Sequence, residues 1–127
     1  MTDWAARQFR NVMDRFREDC PAEAWDDLLL RYAVLKSLGP QCGSTIAKKL
    51  VNAKGIWELV GHADNHQPRP LFYFREQQRQ IVFVHAFMKK GKQDYAPAIK
   101  LAQDRRRLIE RGEKPANVIP SFDQRPH

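Results

Sequence analysis

The segment Ile81-Val-Phe-Val-His-Ala-Phe-Met-Lys-Lys90 decides the fold class of this chain. β-Branched and aromatic residues dominate it, and these residue types favour strands. Alternate side chains of a strand face opposite sides of a sheet. Both sides are mainly apolar here: Ile81, Phe83, His85 and Phe87 on one, and Val82, Val84 and Ala86 on the other. We therefore predict a central strand over 81–87 that is covered on each side.

Two further strands precede the central one. Residues 71–74 are separated from it only by the polar loop 75–80, and so short a connection predicts an antiparallel hairpin. Residues 56–60 predict an earlier strand, and the Gly, Asn and Pro residues of 61–68 predict a loop after it. The sequence thus predicts a small antiparallel sheet.

Helices are predicted before and after these strands. Apolar side chains recur there at three- and four-residue spacings, which is typical of amphipathic helices. The predicted helices lie at about 3–20, between Pro21 and Gly39, at 44–51 and at about 94–111. This layout predicts an α+β domain in which N-terminal helices pack on the sheet and a C-terminal helix closes it.

The positive charge of the chain is concentrated in its strand-rich part. The 127 residues include 22 Lys and Arg against 15 Asp and Glu, a formal net charge of +7. Residues 69–111 hold 11 basic and 4 acidic side chains, whereas the segments on either side are balanced. Such segregation indicates a surface for a polyanion, nucleic acid before an anionic membrane, and a solvated basic face without a ligand is the alternative. The length allows one core and excludes a two-lobed kinase or an eight-fold barrel.

The sequence does not predict export or membrane insertion. The first twenty residues interleave charged and apolar positions, unlike a signal peptide. The apolar runs are far shorter than the roughly 20 residues that span a bilayer. We therefore expect a cytoplasmic protein without a membrane partner. Cys20 and Cys42 lack zinc-finger spacing, and we expect both to be reduced thiols.

The end of the predicted central strand and the loop after it form the densest candidate site. Long cations around one position suit a phosphodiester backbone, and an exposed aromatic ring suits a stacked base. The candidate catalytic residues are Arg69, His85, Lys89, Lys90, Lys92 and Tyr95. Further RNA contacts are predicted from His62, Lys100, Arg105 and Arg106.

Cleavage of RNA at such a site needs neither a metal nor another cofactor. A base takes the proton of the 2′-OH, cations stabilise the phosphorane, and an acid protonates the leaving 5′-oxygen. His85 or His62 suits the base or the acid because imidazole titrates at roughly pH 6.5. A lysine whose pKa is lowered by neighbouring cations is an alternative base. Arg69 stays cationic and suits transition-state stabilisation.

Several of these residues also have a purely structural interpretation. His85 alternates with apolar residues and suits a core position, and Tyr95 lies four residues before Ile99, where it suits packing beneath the last helix. The lysines could have the structural role of keeping the hairpin soluble. We expect Arg69 and Lys90 to lie outside the core.

A metal site is not predicted. His62 and His66 have the spacing of a helical metal pair. They lie, however, in a loop rich in Gly, Asn and Pro that has no nearby Cys, and this context argues against zinc.

Three motifs in a fixed order carry a family resemblance: Gly55-Ile-Trp-Glu-Leu59, Arg69-Pro-Leu-Phe-Tyr-Phe74 and the segment 81–90. Over about residues 26–111 the chain resembles the phage-derived, HigB-like branch of the RelE/ParE toxin superfamily. The resemblance implies a RelE-like, microbial-RNase-like fold. It also implies a type II toxin, an endoribonuclease (mRNA interferase) that cleaves mRNA on the translating ribosome without a metal. By position, its site residues map to Arg69, His85, Lys89, Lys90, Lys92 and Tyr95.

The resemblance also implies a partner and a division of the chain. The partners are a cognate antitoxin, commonly a small helix-turn-helix protein, and mRNA with the ribosome. Residues 1–111 are predicted as a single toxin domain, with 26–111 as the family core and 1–25 as an N-terminal helical extension. Residues 112–127 are predicted as a mostly irregular tail. Many relatives carry a basic residue after Trp-Glu-Leu, where this chain has Val60 and Gly61.

Two other functions are compatible with the sequence. A gyrase-directed, ParE-like toxin of the same fold would not need His85 or the lysine cluster. A non-enzymatic nucleic-acid-binding module would use the lysines only to hold phosphates. The presence of titratable His85 and Tyr95 beside fixed cations favours cleavage, because binding alone does not require titratable groups.

Overall fold

The structure, a computed structural model, describes residues 3–122. These residues form six strands and three helices. In chain order they are β1 (Ala5–Phe9), α1 (Val12–Asp19), α2 (Ala22–Leu38), β2 (Ala47–Lys49), β3 (Trp57–Leu59), β4 (Pro68–Arg75), β5 (Gln80–Met88), α3 (Tyr95–Glu110) and β6 (Ala116–Asn117). Within 3–122 no helix is both long enough and apolar enough to cross a membrane.

The six strands form one sheet in the order β2-β3-β4-β5-β1-β6. Neighbouring strands are antiparallel except β1 and β5, which run parallel with Gln8 beside Phe83. The hairpin of β4 and β5 is the one predicted from the short polar loop. The predicted α+β fold class is confirmed, and the arrangement is consistent with a RelE-like fold.

Helices cover both faces of the sheet. On one face Met13 of α1 and Leu28 of α2 share a core with Phe83 of β5. On the other face Ala102 of α3 shares a core with Val82 of β5. Successive residues of β5 therefore enter different cores, and the prediction of a central strand covered on each side is confirmed.

The N-terminal segment differs from its prediction. The prediction of a helix over 3–20 is wrong for its first part. Residues 5–9 instead form β1 in the interior of the sheet, between β5 and β6. Phe9 is buried in the core beneath α3, whereas Met13 enters the opposite core, so their apolar spacing does not belong to one helix. Arg10 has a φ of 50° and separates the strand from α1. The described part of the predicted extension, residues 3–25, is thus not purely helical.

The short helix predicted over 44–51 is also wrong. Residues 47–49 form β2, which pairs with β3 so that Lys48 lies beside Glu58. The backbone N–H of Val60 donates to the carbonyl oxygen of Ile46 at 2.8 Å, which extends this contact. Strand pairing satisfies backbone groups that β3 would otherwise expose, and this outweighs a weak helical periodicity.

The segment after Gly112 is irregular in secondary structure but packed against the domain. Residues 116–117 form β6 beside β1. Ile119 is buried, and the ring of Phe122 lies 4.5 Å from that of Tyr32 in α2. The predicted tail therefore covers part of the core as far as residue 122, and residues 123–127 lie outside the described part of the chain.

Candidate functional site

A β-bulge in β5 determines which of its side chains face α3. Leu71 of β4 pairs with His85, whereas the next residue, Phe72, pairs with Phe83. Val84 is the extra residue, and the alternation of side chains shifts by one position after it. His85 consequently lines a cleft of about 280 Å³ with residues at the start of α3. The prediction that His85 shares a face with Phe83 is wrong, because the alternating sequence does not reveal a bulge.

Four side chains form a continuous row at the end of β5 and the start of α3. The imidazole of His85 stacks on Phe87 with ring centroids 6.0 Å apart. Phe87 in turn meets the ring of Tyr95 edge-on at 5.3 Å. The ammonium nitrogen of Lys89 lies 5.5 Å from the centroid of the Tyr95 ring, a cation–π contact. The structure thus brings three predicted site residues together around Phe87, and we call these four side chains the site row.

Lys90 and Lys92 extend from the exposed loop that follows Lys89. Oδ2 of Asp94 accepts hydrogen bonds from the backbone N–H groups of Lys90, at 2.7 Å, and Gly91, at 3.0 Å. These two hydrogen bonds lower the pKa of the Asp94 carboxyl from its usual value. The ionised carboxylate fixes the loop to the start of α3, while the side chains of Lys90 and Lys92 stay exposed.

The phenol of Tyr95 is bound to a buried carboxylate of β3. Its hydroxyl donates to Oε2 of Glu58 at 2.5 Å, and Glu58 is only 6% exposed. Burial, followed by the hydrogen bond and negative charge of Glu58, raises the pKa of Tyr95 to about 12. The phenol is therefore protonated at neutral pH and acts as a hydrogen-bond donor.

Arg69 is enclosed next to this carboxylate. It is 6% exposed, and its Nε lies 3.7 Å from Oε2 of Glu58. Nη1 donates to the carbonyl oxygens of Gly61 and Pro68, and Nη2 donates to Oε1 of Gln67 at 3.2 Å. The expectation that Arg69 lies outside the core is wrong, because the 61–68 loop folds over the guanidinium. Arg69 holds this loop and β3 together.

His85 is half-buried at the other end of the site row. Burial, followed by the positive charge of Arg105, lowers the pKa of His85 to about 4. Arg105 is held in place because its Nη1 donates to the carbonyl oxygen of Val84 at 2.8 Å. At neutral pH the His85 imidazole is uncharged, so it can accept a proton but has none to release as an imidazolium.

The segment from α1 to α3 matches a known family. Residues 16–107 match the model described as phage derived protein Gp49-like (DUF891). The chain belongs to this Gp49-like family. It is a toxin-like family in the context of RelE/ParE-type toxins, in agreement with the superfamily that the three motifs resemble. No curated protein matches the sequence significantly.

The other predicted RNA contacts of this Gp49-like chain are dispersed. Arg105 lies beside the site row, as described above. Arg106 donates to the backbone between β2 and β3 and lies 4.6 Å over the ring of Tyr73, so it packs on a different part of the sheet. His62 is exposed in the 61–68 loop, with its backbone N–H bound to α2, and Lys100 is exposed on α3. These four residues do not form one patch.

The two loop histidines occupy a turn of the Gp49-like domain rather than a helix. Ala63 and His66 form an isolated β-bridge, which closes the turn between His62 and the start of β4. Within residues 3–122 no group of three or more His, Cys, Asp or Glu side chains has an arrangement suited to a metal ion.

Sequence reasoning missed two contributors to this surface. Glu58 and Gln67 are the acceptors that bind Tyr95 and Arg69. Phe87, which the sequence already placed at the end of the central strand, separates the imidazole from the phenol. A signal for Glu58 was present, because it is the single charged residue in the apolar segment 56–60, and a charge in such a segment needs a buried partner.

Proposed function

We propose that this Gp49-like protein is the toxin of a type II toxin–antitoxin system and belongs to the HigB-like branch of the RelE/ParE superfamily. Its activity is metal-independent endonucleolytic cleavage of mRNA on the translating ribosome. The observation that supports this activity is the site row, which places a neutral imidazole, two aromatic rings and an ammonium group on one continuous surface. The excess positive charge of the chain lies in the same segment.

The groups of the site suit transesterification of RNA. The neutral imidazole of His85 takes the proton of a 2′-OH, the 2′-oxygen attacks the phosphorus, and the bond from phosphorus to the 5′-oxygen breaks. The ammonium groups of Lys89, Lys90 and Lys92 offset the charge of the phosphorane, and one of them gives a proton to the leaving oxygen. The products are a 2′,3′-cyclic phosphate and a 5′-hydroxyl end.

Tyr95 and Arg69 position these groups in the proposal. The Tyr95 hydroxyl is already bound to Glu58, and its ring supports Lys89. The Nη atoms of Arg69 are bound to carbonyl and amide oxygens of the 61–68 loop. Arg69 is also only 6% exposed, which leaves a phosphate little access to its guanidinium, and its role is to fix β3 and the loop beneath the site row.

A cognate antitoxin is the proposed protein partner, and it is a small helix-turn-helix protein. Membership of a toxin-like family supports this partner. Binding of the antitoxin over the site row or over the helices would keep mRNA and the ribosome away from the exposed lysines. The proposed site of action is the cytoplasm, where translating ribosomes are present.

Expression of the chain without its partner tests the proposal. Transcript ends are mapped after induction, for the wild type, for Lys90→Ala and for the matched control Lys114→Ala, which removes one lysine far along the chain from the loop. We expect cuts in phase with the ribosome inside coding regions, retained by Lys114→Ala and reduced at least about tenfold by Lys90→Ala.

Two outcomes would contradict ribonuclease activity. Growth arrest with intact transcripts and altered DNA topology would point to a gyrase-directed toxin. Binding of RNA without any cut, both in cells and on purified ribosomes, would point to a non-enzymatic binding module. Detection of 2′,3′-cyclic phosphate ends would support the proposed chemistry.

A further inference from the structure

A second cleft, lined by arginines, also borders His85. Its volume is about 310 Å³, and it opens between the turn after β1, α1, β5 and α3. Three arginines from separate elements line it: Arg10, Arg15 and Arg105. His85 also lines the 280 Å³ cleft beside the start of α3, so this residue separates the two clefts.

Two of these arginines share one aromatic support. The guanidinium carbons of Arg10 and Arg105 lie 5.4 Å and 5.0 Å from the centroid of the buried Phe9 ring. Arg105 is held further by its hydrogen bond to β5, as described above. The Arg10 carbonyl oxygen accepts a hydrogen bond from Nδ2 of Asn117 at 3.1 Å, which fixes the left-handed turn at this residue. Both charges are therefore held near each other by packing.

The cleft lacks a matching number of negative charges. Among residues 3–122, the ion pairs do not include Arg10, Arg15 or Arg105. Asp19 is the acidic residue that lines the cleft. Burial, followed by the positive charge of Arg10, lowers the pKa of Arg105, because guanidinium groups that lie close together repel each other. A bound anion would relieve this repulsion.

We propose that the cleft lined by Arg10, Arg15 and Arg105 binds a phosphate group of single-stranded RNA. The choice of RNA as the source of the phosphate rests on the proposed ribonuclease function. Because His85 borders both clefts, a strand whose scissile phosphate lies at the site row reaches the arginines with a neighbouring phosphate. Guanidinium groups suit this role, since they bind phosphate through paired hydrogen bonds and stay charged. β1 and α1 then form part of the substrate surface.

Equilibrium binding of a substrate analogue tests the cleft. The probe is a fluorescently labelled single-stranded oligoribonucleotide with 2′-O-methyl groups, which cannot be cleaved through the 2′-oxygen. It is titrated against the full-length wild type, Arg10→Ala, Arg15→Ala and the control Arg111→Ala at several salt concentrations. Arg111 is exposed at the end of α3 and loses the same charge outside the cleft.

We expect Arg10→Ala and Arg15→Ala each to weaken binding by about tenfold, the effect of one lost charge-assisted hydrogen bond. Each also lowers the dependence of log affinity on log salt by about 0.7, the value for one phosphate contact on a single strand. Arg111→Ala stays within about twofold of the wild type. Affinities and salt slopes of the two cleft variants equal to those of Arg111→Ala would overturn the proposal.

A measurement on the wild type does not depend on the folding of any variant. In NMR spectra, addition of the oligonucleotide should shift the amide signals of residues 10–15 and the Nε–H signals of Arg10 and Arg105. Shifts confined to the lysine loop at 89–92 would overturn the proposal. Binding of polyglutamate in place of the oligonucleotide, lost in Arg10→Ala, would also overturn it and would identify the cleft as a protein-docking surface.

The proposed phosphate-binding cleft and the proposed ribonuclease activity can be contradicted independently. Oligonucleotide binding that depends on Arg10, without cleavage of any transcript by the wild type, supports the cleft and contradicts the ribonuclease. Cleavage by the wild type together with binding that is unaffected by Arg10→Ala and Arg15→Ala contradicts the cleft alone.

Discussion

The hydroxyl of Tyr95, the first residue of α3, reaches past β4 to bind Oε2 of Glu58 in β3 at 2.5 Å. The same carboxylate oxygen lies 3.7 Å from Nε of Arg69. One buried carboxylate therefore connects the start of α3 with β3 and, through Arg69, with the 61–68 loop. Because the lysine loop ends where α3 begins, this contact also fixes the position of the lysines relative to the sheet.

Removal of the Tyr95 hydroxyl should destabilise the domain. In Tyr95→Phe the buried Glu58 loses its donor, and we expect the free energy of unfolding to fall by about 1–3 kcal/mol. The control is Tyr73→Phe, which removes a hydroxyl bound to Glu110, an exposed carboxylate that water can solvate instead. Urea unfolding measures both variants. An equal loss in the two variants would contradict a special role for the Tyr95 contact.

The His85 imidazole should make stability depend on pH in a defined window. Its pKa is about 4 in the folded state against 6.5 when unperturbed. Between these values the unfolded state binds more protons, so stability is fully present above pH 6.5 and falls as the pH drops towards 4. We expect this contribution to be about 2 kcal/mol for a half-buried group.

Comparison with His85→Gln isolates this contribution. Urea unfolding of both proteins at neutral pH and at about pH 4.5 should show a smaller loss for the variant, because glutamine does not titrate. NMR should show the His85 ring signals constant down to about pH 5 and shifting below it. Equal pH dependence of the two proteins, or an imidazole that titrates near 6.5, would contradict the burial of His85 in this environment.

Local patterns predicted the parts of the fold that depend on neighbouring residues. The helix between Pro21 and Gly39, the β4–β5 hairpin and α3 all followed from periodicity and turn residues close in the chain. β1 and β2 did not, because each is a strand only through pairing with a segment elsewhere in the sequence. The bulge at Val84 is likewise invisible in an apolar strand, although it decides which way His85 faces.

The candidate site divides in the same way. His85, Lys89 and Tyr95 are close in sequence, so a strand, a loop and a helix start were enough to predict that they meet. Glu58 lies 37 residues from Tyr95, and its contact depends on the whole sheet. Arg10 reaches the far side of His85 only because β1 lies beside β5. Sequence reasoning therefore found the lysines near His85 and missed Arg10 and the buried carboxylate of Glu58.

Substitution of Gly61 should be more harmful than its loop position suggests. A Cβ at this position would lie 2.7 Å from Cδ2 of Leu28 and 2.8 Å from the carbonyl oxygen of Pro68. No side chain fits there without displacing backbone, so a basic residue could not occupy this position. We expect Gly61→Ala to lower the free energy of unfolding by about 1–3 kcal/mol.

The control for Gly61 is Gly43→Ala. Gly43 has open space around it but a φ of 93°, so its substitution adds backbone strain of about 1 kcal/mol without a steric clash. Thermal unfolding of both variants compares the two effects. A loss at Gly61 no larger than that at Gly43 would contradict the close approach of Pro68.

The N-terminal strand should be indispensable for folding. Phe9 is 4% exposed, and Phe9→Ala should reduce the free energy of unfolding by about 3–5 kcal/mol through the cavity it leaves. Leu30→Ala on the exposed face of α2 should change it by less than about 0.5 kcal/mol. A chain that begins at residue 12 should aggregate, because the edge of β5 is uncovered. A monomeric, cooperatively folded truncation would contradict this role of β1.

Arg69→Ala should lower the stability of the domain, whether or not RNA is present. The substitution leaves the Glu58 carboxylate buried without the guanidinium. It also removes the N–H groups that donate to the carbonyl oxygens of Gly61 and Pro68. We expect the free energy of unfolding to fall by about 3–5 kcal/mol. A loss of toxicity in this variant would therefore not identify Arg69 as catalytic, whereas the exposed Lys90 can be tested without this effect.

Removal of both charges in Glu58→Gln/Arg69→Met should recover part of the loss, because a neutral pair needs no compensating charge. Urea unfolding of Glu58→Gln, Arg69→Met and the double variant completes the cycle. An Arg69→Ala protein as stable as the wild type but unable to cut mRNA would overturn the positioning role and place the guanidinium on the substrate.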